Sequence, residues 1–148
     1  MKKEFVMRGQ TESGQTEVLN FSGYKPGYAY RLVAFDMYGS TVIGTNKHEL
    51  LGTISAGKTG IAPTDPDFRD EALIGVSYYS DNESDAYGPI TYSVLNDLFL
   101  ITQNLILMVQ DTGGGNRAAN WQCRFVAEKM SGPEEAVANY KQFTISDD

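Results

Sequence analysis

The chain has 148 residues, 41% hydrophobic and 21% charged, which fits one domain with a packed core; its longest apolar run, Leu105 to Val109, is far below the ~20 residues a membrane-spanning helix needs. Nineteen acidic residues against twelve basic ones give a net charge of −7, a balance that repels a phosphate backbone or an anionic membrane surface and counts against both nucleic acid and membrane as partners. Cys123 is the single cysteine, so neither an internal disulfide nor a multi-cysteine zinc site is available.

The N-terminal stretch from Met1 to Gln10 carries lysines but no apolar core of a secretory signal, so folding in a cytoplasm is expected, and the sequons at Asn20 to Ser22 and Asn82 to Ser84 read as accidental. Short β-branched and aromatic runs then recur between Gly, Asp, Asn and Pro, the pattern of an all-β chain. Phe5 to Arg8 and Thr16 to Phe21 read as strands around the polar turn Gln10 to Gln15, and Tyr24-Lys25-Pro26-Gly27 as a further turn. Tyr28 to Tyr38 is the clearest strand. Strict alternation places Val33, Phe35 and Met37 on one face and Tyr30, Leu32 and Ala34 on the other, which predicts a central strand covered on both sides.

Glu49 to Ile54 and Ala72 to Tyr79 read as further strands, joined by a long loop from Ala56 to Asp70. Ile90 to Leu95 and Leu98 to Val109 hold enough apolar residues for one or two core strands, with no boundary legible between them. Gln110 to Asn116, with three successive glycines, reads as a flexible hairpin loop. Trp121, Cys123, Phe125 and Ala127 then alternate with Gln122, Arg124, Val126 and Glu128, as in a strand with one buried face. Ser131 to Ala138 has the cap residues, the early proline and the early carboxylates of a helix start. About two turns are expected there, near Pro133 to Ala138, before a last strand over Tyr140 to Ile145. Together these elements predict a single all-β domain over residues 1–148: an antiparallel β-sandwich, with the jelly roll among the architectures that fit, and one short helix.

One stretch carries a nucleotide-binding pattern. Gly52-Thr53-Ile54-Ser55-Ala56-Gly57-Lys58-Thr59 matches G-x-x-x-x-G-K-[ST] at every fixed position, and Leu105 to Asp111 resembles a hydrophobic strand ending in a magnesium-binding aspartate. A phosphate loop, however, works through a helix that begins at the Lys-Thr pair. Here Pro63 and Pro66 would break that helix in its first turns, and the alternating strand-helix units of a parallel sheet are missing.

The remaining candidates each have a plain structural reading. His48 is the only histidine and no nucleophile elbow accompanies it, so it reads as a partly exposed polar residue at a strand start. Cys123, on the face of Trp121 and Phe125, reads as a small buried hydrophobe. Asp65, Asp67, Asp70 and Glu71, and separately Asp81, Glu83 and Asp85, are oxygen-rich groups of the kind that bind calcium, but the second lacks the glycine and the distant glutamate of a calcium loop. Among nine tyrosines, Tyr78, Tyr79 and Tyr87 flank the acidic loop and are the candidate interface or ligand surface. No catalytic, cofactor or metal residue is assigned.

In general character the chain resembles the small β-sandwich virion proteins of tailed phages, the capsid decoration and head-associated subunits. The stretches that carry the resemblance are YRLVAFDMYGS, within Tyr28 to Ser40, NDLFLITQNLILMVQD, Asn96 to Asp111, and NWQCRFVAEKMSGPEEA, Asn120 to Ala136. What the resemblance implies is a non-enzymatic structural subunit of a virion, folded in the host cytoplasm, whose partners are other copies of itself and a capsid protein. The alternative is a carbohydrate-binding or adhesin module in which the tyrosines and loop carboxylates hold a glycan, with or without calcium.

Overall fold

The computed structural model describes residues 3–21, 27–40, 47–81 and 90–146. Its elements in chain order are β1 (Lys3–Thr11), β2 (Thr16–Leu19), β3 (Tyr28–Gly39), β4 (His48–Ser55), β5 (Leu73–Asp81), β6 (Ile90–Leu95), β7 (Leu105–Asp111), β8 (Ala119–Lys129) and α1 (Gly132–Ser146). A three-stranded sheet ordered β1-β8-β3 packs on a five-stranded sheet ordered β2-β7-β4-β5-β6, and all pairings are antiparallel. This is the expected all-β sandwich. The nested pairs β1 with β8, β2 with β7 and β4 with β5 follow the winding of a jelly roll, from which β6 departs by adding to β5 rather than to β3.

Period-two patterning decides the core. Trp121, Cys123 and Phe125 of β8 are buried as their alternation predicts, facing Leu50, Ile54, Leu105, Leu107 and Val109 across the sandwich within one hydrophobic cluster. Phe125 stacks on Phe5 at 5.4 Å between ring centroids and meets Phe21 edge-on at 5.1 Å. Gly52 on β4 lets the sheets close: a Cβ there would lie 2.6 Å from Met37 Sδ and 2.9 Å from Phe35 Cζ.

Several expectations are corrected. β3 is an edge of its sheet rather than a central strand. Its register slips at a bulge between Leu32 and Ala34, so Leu32 joins Phe35 and Met37 inside while Val33 turns outward. β1 and β2 flank the polar turn as read, yet belong to different sheets. Thr11 marks the crossing, its Oγ1 accepting the Trp121 indole N–H at 2.9 Å. Residues 110–116 likewise cross from one sheet to the other and close no hairpin. The apolar run 90–109 divides into β6, exposed along nearly its whole length, and β7, buried at every second residue.

The largest correction is α1, which takes in both the two-turn helix and the last strand expected over Tyr140 to Ile145. Its start is a capping box. Glu134 N–H donates to Ser131 Oγ at 3.3 Å, and the Ser131 N–H and hydroxyl donate to Glu134 Oε1 at 3.4 and 2.9 Å. Its second half is fixed from outside: Gln142 is fully buried, and its Oε1 accepts the Thr102 N–H, the Thr102 hydroxyl and the Gln103 N–H at 2.6, 3.0 and 3.1 Å. Those bonds form only if the chain stays helical to present Gln142 to that segment.

Candidate functional site

Tyr78 and Tyr79 are neighbours on β5 and so point to opposite faces of the sheet. Tyr79 faces inward, 1% exposed, with the Tyr38 ring at 5.4 Å and the His48 ring at 6.3 Å. Burial foremost, then Asp81 and Tyr38, pushes its phenol up to about 12. Tyr78 faces outward and stacks on Tyr92 across the strand pair, 5.1 Å between centroids with the planes 21° apart. Tyr87 lies outside the described residues. The three tyrosines therefore do not make one surface, and the partner that matters to Tyr78 is Tyr92. The signal for Tyr92 was present in Ile90-Thr91-Tyr92-Ser93-Val94-Leu95, a charge-free strand with apolar residues at alternate positions.

The outer side of β5 and β6 is built by that alternation. The register sets Val76 opposite Val94, Tyr78 opposite Tyr92 and Ser80 opposite Ile90. Ile90, Tyr92 and Val94 are all exposed, Tyr92 at 61%, and the surface continues through Phe68 of the 56–72 loop and Leu98, the latter 77% exposed. A depression of about 330 Å³ at the end of the strands is lined by Phe68, Val76, Val94, Leu95 and Lys141. Beside it exposed Val137 of α1 lines a second depression with Leu98 and Phe99. Apolar side chains left in water in one continuous region mark a contact surface.

The acidic groups do something else. Asp67 accepts the Arg69 Nε and Nη2 hydrogens at 3.0 and 2.9 Å and the Arg69 backbone N–H at 2.9 Å. The side-chain bonds first, and the backbone bond second, hold its carboxyl below the ordinary value. Asp70 accepts the Ala72 N–H at 2.9 Å. These residues order their own loop. Among the described residues no group of three His, Cys, Asp or Glu side chains is placed to hold a metal ion; Glu83 and Asp85 lie outside them.

Asp111, the would-be magnesium ligand, is also spent on the backbone. Oδ1 accepts the N–H groups of Gly113 at 2.9 Å and Glu49 at 3.3 Å, and Oδ2 that of Arg117 at 2.8 Å. The glycine-rich connection is further tied to β4 by Thr112 N–H to Glu49 O at 2.9 Å, and to the residue just before β4 by Arg117 Nη1 to Lys47 O at 2.8 Å. It is a fastened crossover, where composition had suggested a loose one.

His48 stands at the start of β4 as read, but it is 1% exposed rather than partly exposed, and among the described residues neither ring nitrogen has a hydrogen-bond partner. Burial, then the Arg117 charge, lowers its pKa from 6.5 against the opposing pull of Asp111 and Asp81. Cys123 is buried, and burial, with a smaller push from Asp36, drives its thiol pKa upward, away from an activated thiolate. In GTISAGKT, residues 52–55 are the end of β4 and Gly52 sits under Phe35 and Met37. Residues 56–72 are irregular chain, closed by Ala56 N–H to Ala72 O at 2.8 Å, so no helix begins at Lys58 and Thr59.

No protein-family model matches the chain, and no curated protein matches it. Among the described residues no helix is long and apolar enough to cross a membrane.

Proposed function

We propose that this chain is a non-enzymatic structural subunit that acts through protein–protein contacts, with the β5–β6 face as its contact surface and a capsid-associated place in a virion as its setting. The observation that carries the reading is the exposed run of Phe68, Tyr92, Val94 and Leu98. Left in water these side chains cost free energy, at about 25 cal/mol per Å² of apolar surface, that a partner covering them recovers. A glycan platform is the alternative: the stacking of Tyr78 on Tyr92 takes one face of each ring and leaves the other face of Tyr92, 61% exposed, to a sugar. The virion setting rests on the resemblance of the three stretches named above.

Light scattering on the eluting protein, with and without calcium, tests the reading. A mass above the 16.3 kDa of one chain, independent of calcium and reduced to the monomer by Phe68→Lys with Tyr92→Lys, is the expected result. A monomer at every concentration that binds soluble oligosaccharides saturably, and loses them with calcium removal, would overturn it in favour of a carbohydrate-binding module.

A further inference from the structure

In an antiparallel pair, alternate residues turn their N–H and C=O toward the partner strand and the others turn them away. Asn96 N–H donates to Ile74 O at 2.7 Å, one step beyond the Gly75–Leu95 pair in register. Stepping back by twos, Val94, Tyr92 and Ile90 bond β5, and Leu95, Ser93 and Thr91 direct their backbone groups to the open edge. No strand or loop among the described residues takes these groups up.

The other sheet edges are defended. β1 carries Lys3, Glu4 and Arg8; β2 is four residues long and holds Glu17; β3 has its bulge, with Arg31 and Asp36. β6 has neither charge, proline, glycine nor register shift. Among the described strands it is the one sheet edge without such a device.

Resting on the reading of the β5–β6 face as a contact surface, we propose that β6 pairs antiparallel with β6 of a second copy, about a two-fold axis at Ser93, joining two five-stranded sheets into one. This register uses every free backbone group of Thr91, Ser93 and Leu95: Ser93 faces Ser93, Thr91 faces Leu95, and Tyr92 lies against Val94 twice over. Self-complementarity favours a second copy as the occupant, since a two-fold axis at Ser93 lets the strand satisfy the same backbone groups on its copy. Each chain carries −7, yet the paired strands bring no charge into contact, so like meets like without repulsion at close range. A six-residue strand is about 20 Å long at about 3.4 Å per residue and, across a sheet edge about 10 Å thick, covers on the order of 200 Å² per copy, well below the roughly 800 Å² of a standard stable interface. The dimer therefore belongs to the weak, concentration-dependent class.

Sedimentation equilibrium and cysteine cross-linking test the inference. The wild-type chain should pass from monomer toward dimer between about 10 and 500 μM. Ser93→Pro removes an N–H that makes no bond to β5, so the monomer keeps its circular dichroism while association weakens at least ~10-fold. Tyr92→Cys mixed with Val94→Cys should form the mixed disulfide under mild oxidation, with Cys123 buried and inert, and Val18→Cys paired with either should not. If Ser93→Pro fails to fold, the cysteine pair decides alone. Oligomers that persist in folded Ser93→Pro, or that give no 92–94 cross-link, would overturn β6 pairing and leave the contact-surface reading standing; a strictly monomeric wild-type chain would overturn this dimer whatever else the face binds.

Discussion

A neutral imidazole tolerates burial far better than a charged one. His48, buried without a hydrogen-bond partner among the described residues and beside Arg117, holds its proton less tightly than it would in the unfolded chain, where the pKa is 6.5. Because the folded value is depressed, the unfolded chain binds more protons as pH falls below 6.5, and stability is full above that value and lost below it. The slope between pH 6.5 and pH 5 should reach at most about 1.4 kcal/mol per pH unit, the weight of one proton. Urea unfolding across that range checks it, and His48→Phe should flatten the profile. An unchanged slope in that variant would assign the effect to other groups. Gly52 makes a second residue-scale case. With Met37 Sδ and Phe35 Cζ already where a Cβ would sit, Gly52→Val should cost about 1–3 kcal/mol through overpacking, seen as a lower urea midpoint at unchanged m. The phosphate-loop pattern contains that glycine, and its role here is to let two sheets close.

At the scale of the element, the sequence was most legible where one face alone was buried. β8 alternates cleanly because it has a single face to fill, and Trp121, Cys123 and Phe125 are inward as its pattern predicts; β7 is buried at every second residue too, but its unbroken apolar run hides both its bounds and its inward set. β3 was misread for a mechanical reason: a bulge inserts one residue, and every inward assignment on one side of it changes parity. Tyr140 to Ile145 was misread because its side chains favour a strand locally, while Gln142 finds its hydrogen-bond partners only from a helix. Gln142→Ala should accordingly cost more than a cap. It strands the N–H groups of Thr102 and Gln103, at about 2–3 kcal/mol, whereas Ser131→Ala removes one capping box at about 1 kcal/mol. Thermal unfolding of the two variants ranks them; a Ser131→Ala loss as large as the Gln142→Ala loss would mean that α1 is held by its start instead of by the buried amide. The candidate surface was half legible. Tyr78 was named, but Tyr79 faces the core and Tyr92 was missed, because an apolar strand on an edge has the same composition as an apolar strand in a core.

Across the whole molecule, net charge and the uncharged edge act in opposite directions on association. Each chain at −7 repels its copy over distances set by the salt, about 30 Å at 0.01 M and about 8 Å at 0.15 M. If self-association runs through β6, where no charge is buried and no ion pair is made, salt screens the repulsion and touches nothing attractive. Raising ionic strength from about 0.01 M to 0.15 M should therefore strengthen the dimer, by a few-fold in its dissociation constant. An interface made from the charged edges instead, Lys3, Glu4 and Arg8 of β1 above all, would lose ion pairs over the same interval and weaken. Sedimentation equilibrium at the two ionic strengths separates these cases by the sign of the change alone, and association that falls with added salt would sink the β6 route even if a dimer forms.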